Sequence, residues 1–208
     1  EGEWSFIYQG IGYIADGETI EFPWVGNKLV EWDLETGEEV WSWNPFDHYS
    51  MLDYDAYGGT WWWGTQWHDW LHSNAFHFDE QESAIYMSHR HLSRITKIDY
   101  PSGDVLWMMG LPCPYMESCS THICTELEFS FQHNVQLTDD GHLLFFDNGN
   151  MSSILQGLTE PLSRALEVEV STSGDCEVIW LYTLDEELYS PMHGSVQQLT
   201  NGNYLINS

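Results

Sequence analysis

The sequence predicts an all-β protein, specifically a β-propeller of four-stranded blades, from three observations. A histidine recurs at the same point of a repeated unit, at His72, His133 and His193. Tryptophan-ended hairpins recur in phase with it, which is the self-similarity that repeat architectures leave in a chain. Twelve Trp, eleven Tyr and nine Phe, set among Gly-containing turns, favour strands over helices.

In chain order, Phe6–Phe22 carries a strand-turn-strand pattern around Asp16-Gly17, with Gln9-Gly10 where a histidine would stand. The tryptophan module follows in three copies, Lys28–Trp43, Ile95–Trp107 and Ala165–Trp180, each reading as strand, Gly-containing turn, strand. The histidine module also has three copies: His72–Ser88, His133–Phe146 and His193–Ile206. Two of these turn at Asp140-Gly141 and Asn201-Gly202, the dipeptides that a tight hairpin prefers. One histidine module plus one tryptophan module makes four strands, the content of a propeller blade. About three and a half blades result, below the ~4–8 of a closed ring. No linker or low-complexity stretch divides residues 1–208. They are therefore read as one propeller domain, incomplete in itself and completed by a further segment or a second chain.

The 33 acidic residues face five basic ones, Lys28, Arg90, Arg94, Lys97 and Arg164, for a net charge of −28. Such a field repels phosphate backbones and anionic lipid, which argues against nucleic acid as a partner. The acidic shell serves solubility or salt adaptation. No cofactor is expected; calcium is the one cation that carboxylates such as Asp53, Asp55, Asp139 and Asp140 would suit, although they form no EF-hand loop. No apolar run reaches the ~20 residues of a membrane-spanning helix. The chain starts at Glu1 without a signal peptide, as a mature or internal segment would. Cys113, Cys119, Cys124 and Cys176 form no C-x-x-C pair, so structural disulfides in an exported protein are expected, with the pairing open.

Residues that begin the innermost strand of each blade face the central channel, so repeated histidines there would gather around one axis. The run Asp69-Trp70-Leu71-His72-Ser73-Asn74-Ala75, continued by Ser88-His89-Arg90-His91 and Ile95-Thr96-Lys97-Ile98, resembles the arylsulfate sulfotransferase family. Gln132-His133, Phe145-Phe146-Asp147-Asn148-Gly149, Ser163-Arg164 and Tyr189-Ser190-Pro191 are similar to later landmarks of that family, in the same order, over most of residues 28–208.

The resemblance implies a six-bladed periplasmic or extracellular propeller. It would move a sulfuryl group from a phenolic sulfate ester to a phenol through a sulfated histidine, without a nucleotide donor. It further implies that His72 and His133 position or polarise the sulfate. Repeat spacing puts His193 at the nucleophile, and Arg90, Asn74 and Arg164 are the candidate substrate ligands. The family's arginine after the Asp-Asn-Gly turn is missing here, since Asn150–Gln156 contains none.

Two other functions fit the same pattern. One is a noncatalytic exported propeller for binding, adhesion or filament assembly, a homo-oligomer or scaffold. The other is a metal-binding propeller enzyme that uses His68 with His72, four apart, or His89 with His91 on one strand face, although nothing fixes a ligand set. Trp61-Trp62-Trp63 would anchor a loop or stack on an aromatic substrate.

Overall fold

The computed structural model describes residues 24–50, 53, 68–111 and 122–208. The strand-turn-strand pattern of Phe6–Phe22, the Trp61–Trp63 run, Asp55, Cys113 and Cys119 lie outside them. The described chain is all-β, with fifteen strands and a single four-residue α-helix, α1 (Ser152–Leu155), among the described residues.

The elements are β1 (Trp24–Val25), β2 (Leu29–Trp32), β3 (Glu39–Trp43), β4 (His68–Asp69), β5 (Ser73–Asp79), β6 (Ala84–His89), β7 (Arg94–Asp99), β8 (Val105–Gly110) and β9 (His122–Ile123). They continue as β10 (His133–Leu137), β11 (Leu143–Asp147), β12 (Arg164–Val170), β13 (Cys176–Thr183), β14 (Ser195–Gln198) and β15 (Tyr204–Asn207). Two units repeat the predicted plan: β5-β6-β7-β8 and β10-β11-β12-β13 are consecutive antiparallel meanders of four strands. The short β9 adds in parallel to β8, while β2-β3 and β14-β15 are antiparallel hairpins and β1 pairs in parallel with β4.

These sheets stack face to face because their middle strands are apolar on both sides. In β11, Leu143 and Phe145 enter a core shared with Tyr86, Ile95 and Met109 of the preceding sheet. Leu144 and Phe146 enter a second core with Val196 of β14. β6 divides the same way: Ala84 and Tyr86 face β11, whereas Ile85 and Met87 face Trp43, Tyr49 and Trp70. Period-two alternation produces this split. Burial of Phe145 and Phe146 is complete and contributes about 2–3 kcal/mol each. A ladder hydrogen bond contributes about 1 kcal/mol net, so side-chain burial fixes the register.

The tryptophans that end the outer hairpins reach the next unit. Trp41 Nε1 donates to Pro101 O at 2.8 Å and Trp43 Nε1 to Gly103 O at 3.0 Å, both on the β7–β8 turn. Trp180 of β13 stacks on Tyr204 of β15 with ring centroids 3.7 Å apart. Cys124 and Cys176 form a disulfide joining the segment after β9 to β13, which fixes one pair of the open pairing. Asp53, a calcium candidate by sequence, is instead buried and paired with Arg94 at 3.2 Å.

Candidate functional site

The inner strands β5, β10 and β14 pack beside one another, and each repeat histidine sits at the start of one. His133 opens β10, His72 immediately precedes β5, and His193 precedes β14 by two residues. Local irregularity aims them. The β5 ladder skips Asn74 between Ser73 and Ala75, and the β10 ladder shifts between His133 and Gln136. His72 (φ 47°) and Asn134 (φ 59°) adopt the left-handed backbone. Bulges of this kind turn side chains out of the regular pleat. Before β14 the same job falls to Gly194 (φ 137°), where a Cβ would stand 2.3 Å from the Phe146 ring.

His133 and His193 meet through Asn148. Asn148 is fully buried, and its Nδ2 donates to Ser190 O and His193 O, each at 2.6 Å. Two carbonyl partners fix the amide orientation, so Oδ1 must accept, and His133 Nδ1 donates to it at 2.6 Å. The neutral His133 ring is therefore the Nδ1–H tautomer, with its lone pair on Nε2. Burial lowers the His133 pKa. The nearby Arg90 and His72 add to that, against the opposing pull of Asn148 and the Phe131 carbonyl. The His133 and His193 rings lie 6.5 Å apart.

His72 Nδ1 donates to Asp69 Oδ2, and its ring is 4.7 Å from that of His91. Burial alone would raise the Asp69 carboxyl, but the bond from His72, with His72, His91 and His68 nearby, holds it below its ordinary range. His91 is buried, its Nδ1 lies 2.5 Å from Asp69 O, and burial pushes its pKa down. Arg90 donates from Nη2 to Pro191 O at 2.9 Å and lies over the Phe131 ring at 4.8 Å. Its charge is felt by His91, His133 and Tyr189. Arg90 lies on the β6–β7 turn, not in the segment after the Asp-Asn-Gly turn.

The other two predicted ligands are placed differently. Arg164 pairs with Asp147 at 2.7 Å and donates to Leu127 O and Glu128 O. Burial raises the Asp147 carboxyl, opposed by Arg164. Asp147 in turn accepts from Ser130 N and Gly149 N at 2.9 Å, so Arg164 braces the loop that carries Asn148. Asn74 Nδ2 donates to Gln132 O at 2.8 Å, tying the β5 bulge to the residue before His133.

Of the two histidine pairs considered for metal, His89 with His91 is split. His89 ends β6 and His91 lies in the turn that follows, so they share no strand face. His89 turns inward, between Ser73 Oγ (2.8 Å) and Tyr49 Oη (2.9 Å). His68 is buried with its ring 4.6 Å from Trp24. Asn148, and the partnership of Asp69 with both His72 and His91, escaped the sequence reading. Asn148 lies in the run Phe145-Phe146-Asp147-Asn148-Gly149, but nothing in that run says which ring it holds.

The three repeat histidines thus stand at the starts of β5, β10 and β14, with the Arg90 guanidinium felt by His133 and the His133 tautomer fixed by Asn148. The model of the arylsulfotransferase (ASST) family matches residues 15–208, and the chain belongs to that family. No curated protein matches the chain. Among the described residues no helix is long and apolar enough to cross a membrane.

Proposed function

We propose that the protein transfers a sulfuryl group from a phenolic sulfate ester to a phenol through a histidine, as one part of a propeller ring working in the periplasm or outside the cell. The observation that supports this most is the surroundings of His133, whose ring lies 6.5 Å from that of His193 and feels the charges of Arg90 and His72. In the first half-reaction a neutral imidazole nitrogen of His193 attacks sulfur, the sulfur–aryl oxygen bond breaks, and the phenolate leaves with the bonding pair. Arg90 and the neighbouring imidazoles stabilise the sulfuryl oxygens as charge shifts. In the second half-reaction an acceptor phenol attacks sulfur, its proton passes to His133 Nε2 and from there to the released phenolate or to water, and the His193 nitrogen–sulfur bond breaks to restore the neutral ring. Arg164 acts through Asp147 and the Asn148 loop rather than on the ester itself.

The test is release of nitrophenol from a nitrophenyl sulfate in the presence of phenol. His193→Ala abolishes transfer, and His133→Ala lowers it by about 10²-fold or more. Unchanged turnover in His193→Ala removes the nucleophile, and no turnover of any aryl sulfate by the wild type leaves the noncatalytic reading in its place.

A further inference from the structure

We infer that Asp69, His72 and His91 form a binding site for a divalent transition-metal ion of the zinc and cobalt type. One ligand atom from each of the three lies within 4.8 Å of the other two. The residues come from two loops: Asp69 ends β4, His72 precedes β5, and His91 follows β6. The chain holds these loops together through His91 N to Leu71 O at 3.0 Å and Arg90 N to His72 O at 3.2 Å. The cluster is therefore a built feature of the backbone.

A second observation points to a ligand. His91 is 2% exposed, and its Nε2 is buried with no hydrogen-bond partner among the described residues. Leaving a buried ring nitrogen unmatched costs about 1–3 kcal/mol. Its other nitrogen, Nδ1, is tied to the main-chain carbonyl of Asp69 at 2.5 Å. That is the outer hydrogen bond by which metal-ligating imidazoles are oriented, and it leaves the lone pair on Nε2. The His72 ring lies 4.7 Å away at an interplanar angle of 33°, and Asp69 supplies a carboxylate to neutralise part of the ion's charge.

Two imidazoles and one carboxylate select against calcium and magnesium, which favour oxygen donors, and in favour of zinc, cobalt or nickel. Three protein ligands also leave coordination positions for water or an anion, as open zinc sites do. Arg90 opposes the site, because its charge reaches His91. The same charge would attract an anion to an open position on the metal. His72 belongs to this cluster and to the histidine group described above, so a bound metal would withdraw it from the sulfate. Metal binding stands without the sulfuryl-transfer reading and is read without any activity.

The experiment titrates chelator-stripped full-length protein with Co²⁺ and follows the visible absorption of the bound ion, then displaces it with Zn²⁺. The wild type saturates at one equivalent. Asp69→Asn and His72→Ala, both at partly exposed positions, each weaken binding at least about 10-fold, the least that losing even an outer-shell partner costs. His77→Ala, on β5 but outside the cluster, leaves the titration unchanged. Circular dichroism melts confirm that the variants fold. No saturable band in the wild type overturns the site. So does a band that survives both Asp69→Asn and His72→Ala, since the ion then sits on the acidic surface.

Discussion

Asn148 decides which nitrogen of His133 carries the proton, and it does so because both of its own donors are committed to the carbonyls of Ser190 and His193. One buried side chain thus sets the tautomer of one histidine and the backbone position of another. Asn148→Ala removes the acceptor and leaves two carbonyls and a ring N–H without it. Stability falls by about 1–3 kcal/mol, as for other buried polar groups left unmatched. A purely structural loss would leave the pH profile of the surviving activity in place. Here the His133 ring is freed to take the other tautomer, so kcat drops by about 10²-fold or more and the acid limb of the profile shifts. Measuring kcat against pH in Asn148→Ala and the wild type separates the two, and an unshifted profile would sink the assignment.

At the scale of elements, the disulfide carries the most separable contribution. Cys124 and Cys176 are 52 residues apart in sequence and join the segment after β9 to β13. Closing a loop of that length in the unfolded chain stabilises the folded one by about 4 kcal/mol on the chain-entropy account. The pair Cys124→Ser with Cys176→Ser should lower the urea midpoint and, because the unfolded chain is then free to expand, raise the slope, and reductant should do nothing further to that variant's midpoint through this bond. The hairpins themselves were legible in the sequence, because Asp140-Gly141 and Asn201-Gly202 write the turn locally and the alternation on either side writes the register. His72, His133 and His193 were legible for the same reason, each being the first residue of a module. The contact of His72 with His91, and the inward turn of His89, were not. They depend on where β6 stops and on the bulge at Asn74, which shift by one residue what an ideal strand would present. Arg90 and Arg164 looked equivalent as lone cations; the pairing of Arg164 with Asp147, buried beneath the Asn148 loop, could not be read from the sequence.

For the whole molecule, the cores form a relay: the β5–β9 sheet and the β10–β13 sheet each give one face to the sheet before and one to the sheet after. Histidines are buried along that relay, and they couple folding to pH. His89 and His68 are both fully buried, and burial pushes their pKa values down to about 3 and about 4. In the unfolded chain a histidine titrates near 6.5. The folded values are depressed, so the stabilisation is complete above about 6.5 and is lost as pH falls toward the folded values, because the unfolded chain binds protons that the folded chain refuses. One unit below 6.5 each ring contributes a loss of about 1 kcal/mol, roughly 2 kcal/mol together. The net charge of −28 complicates a simple acid titration, since protonating carboxylates relieves self-repulsion and stabilises the compact state. Two choices separate the effects. Down to pH 5.5 most carboxylates stay ionised, and in 1 M salt a Debye length of about 3 Å screens the repulsion that remains. Urea unfolding at pH 7.5 and pH 5.5 in 1 M sodium chloride should therefore give a lower midpoint at the acid end. The same unfolding at pH 7.5 without added salt should give a lower midpoint than with it, because repulsion then acts in full. A midpoint that holds steady between pH 7.5 and 5.5 in high salt would mean that His89 and His68 take up protons in place, and that the cores between the sheets admit water.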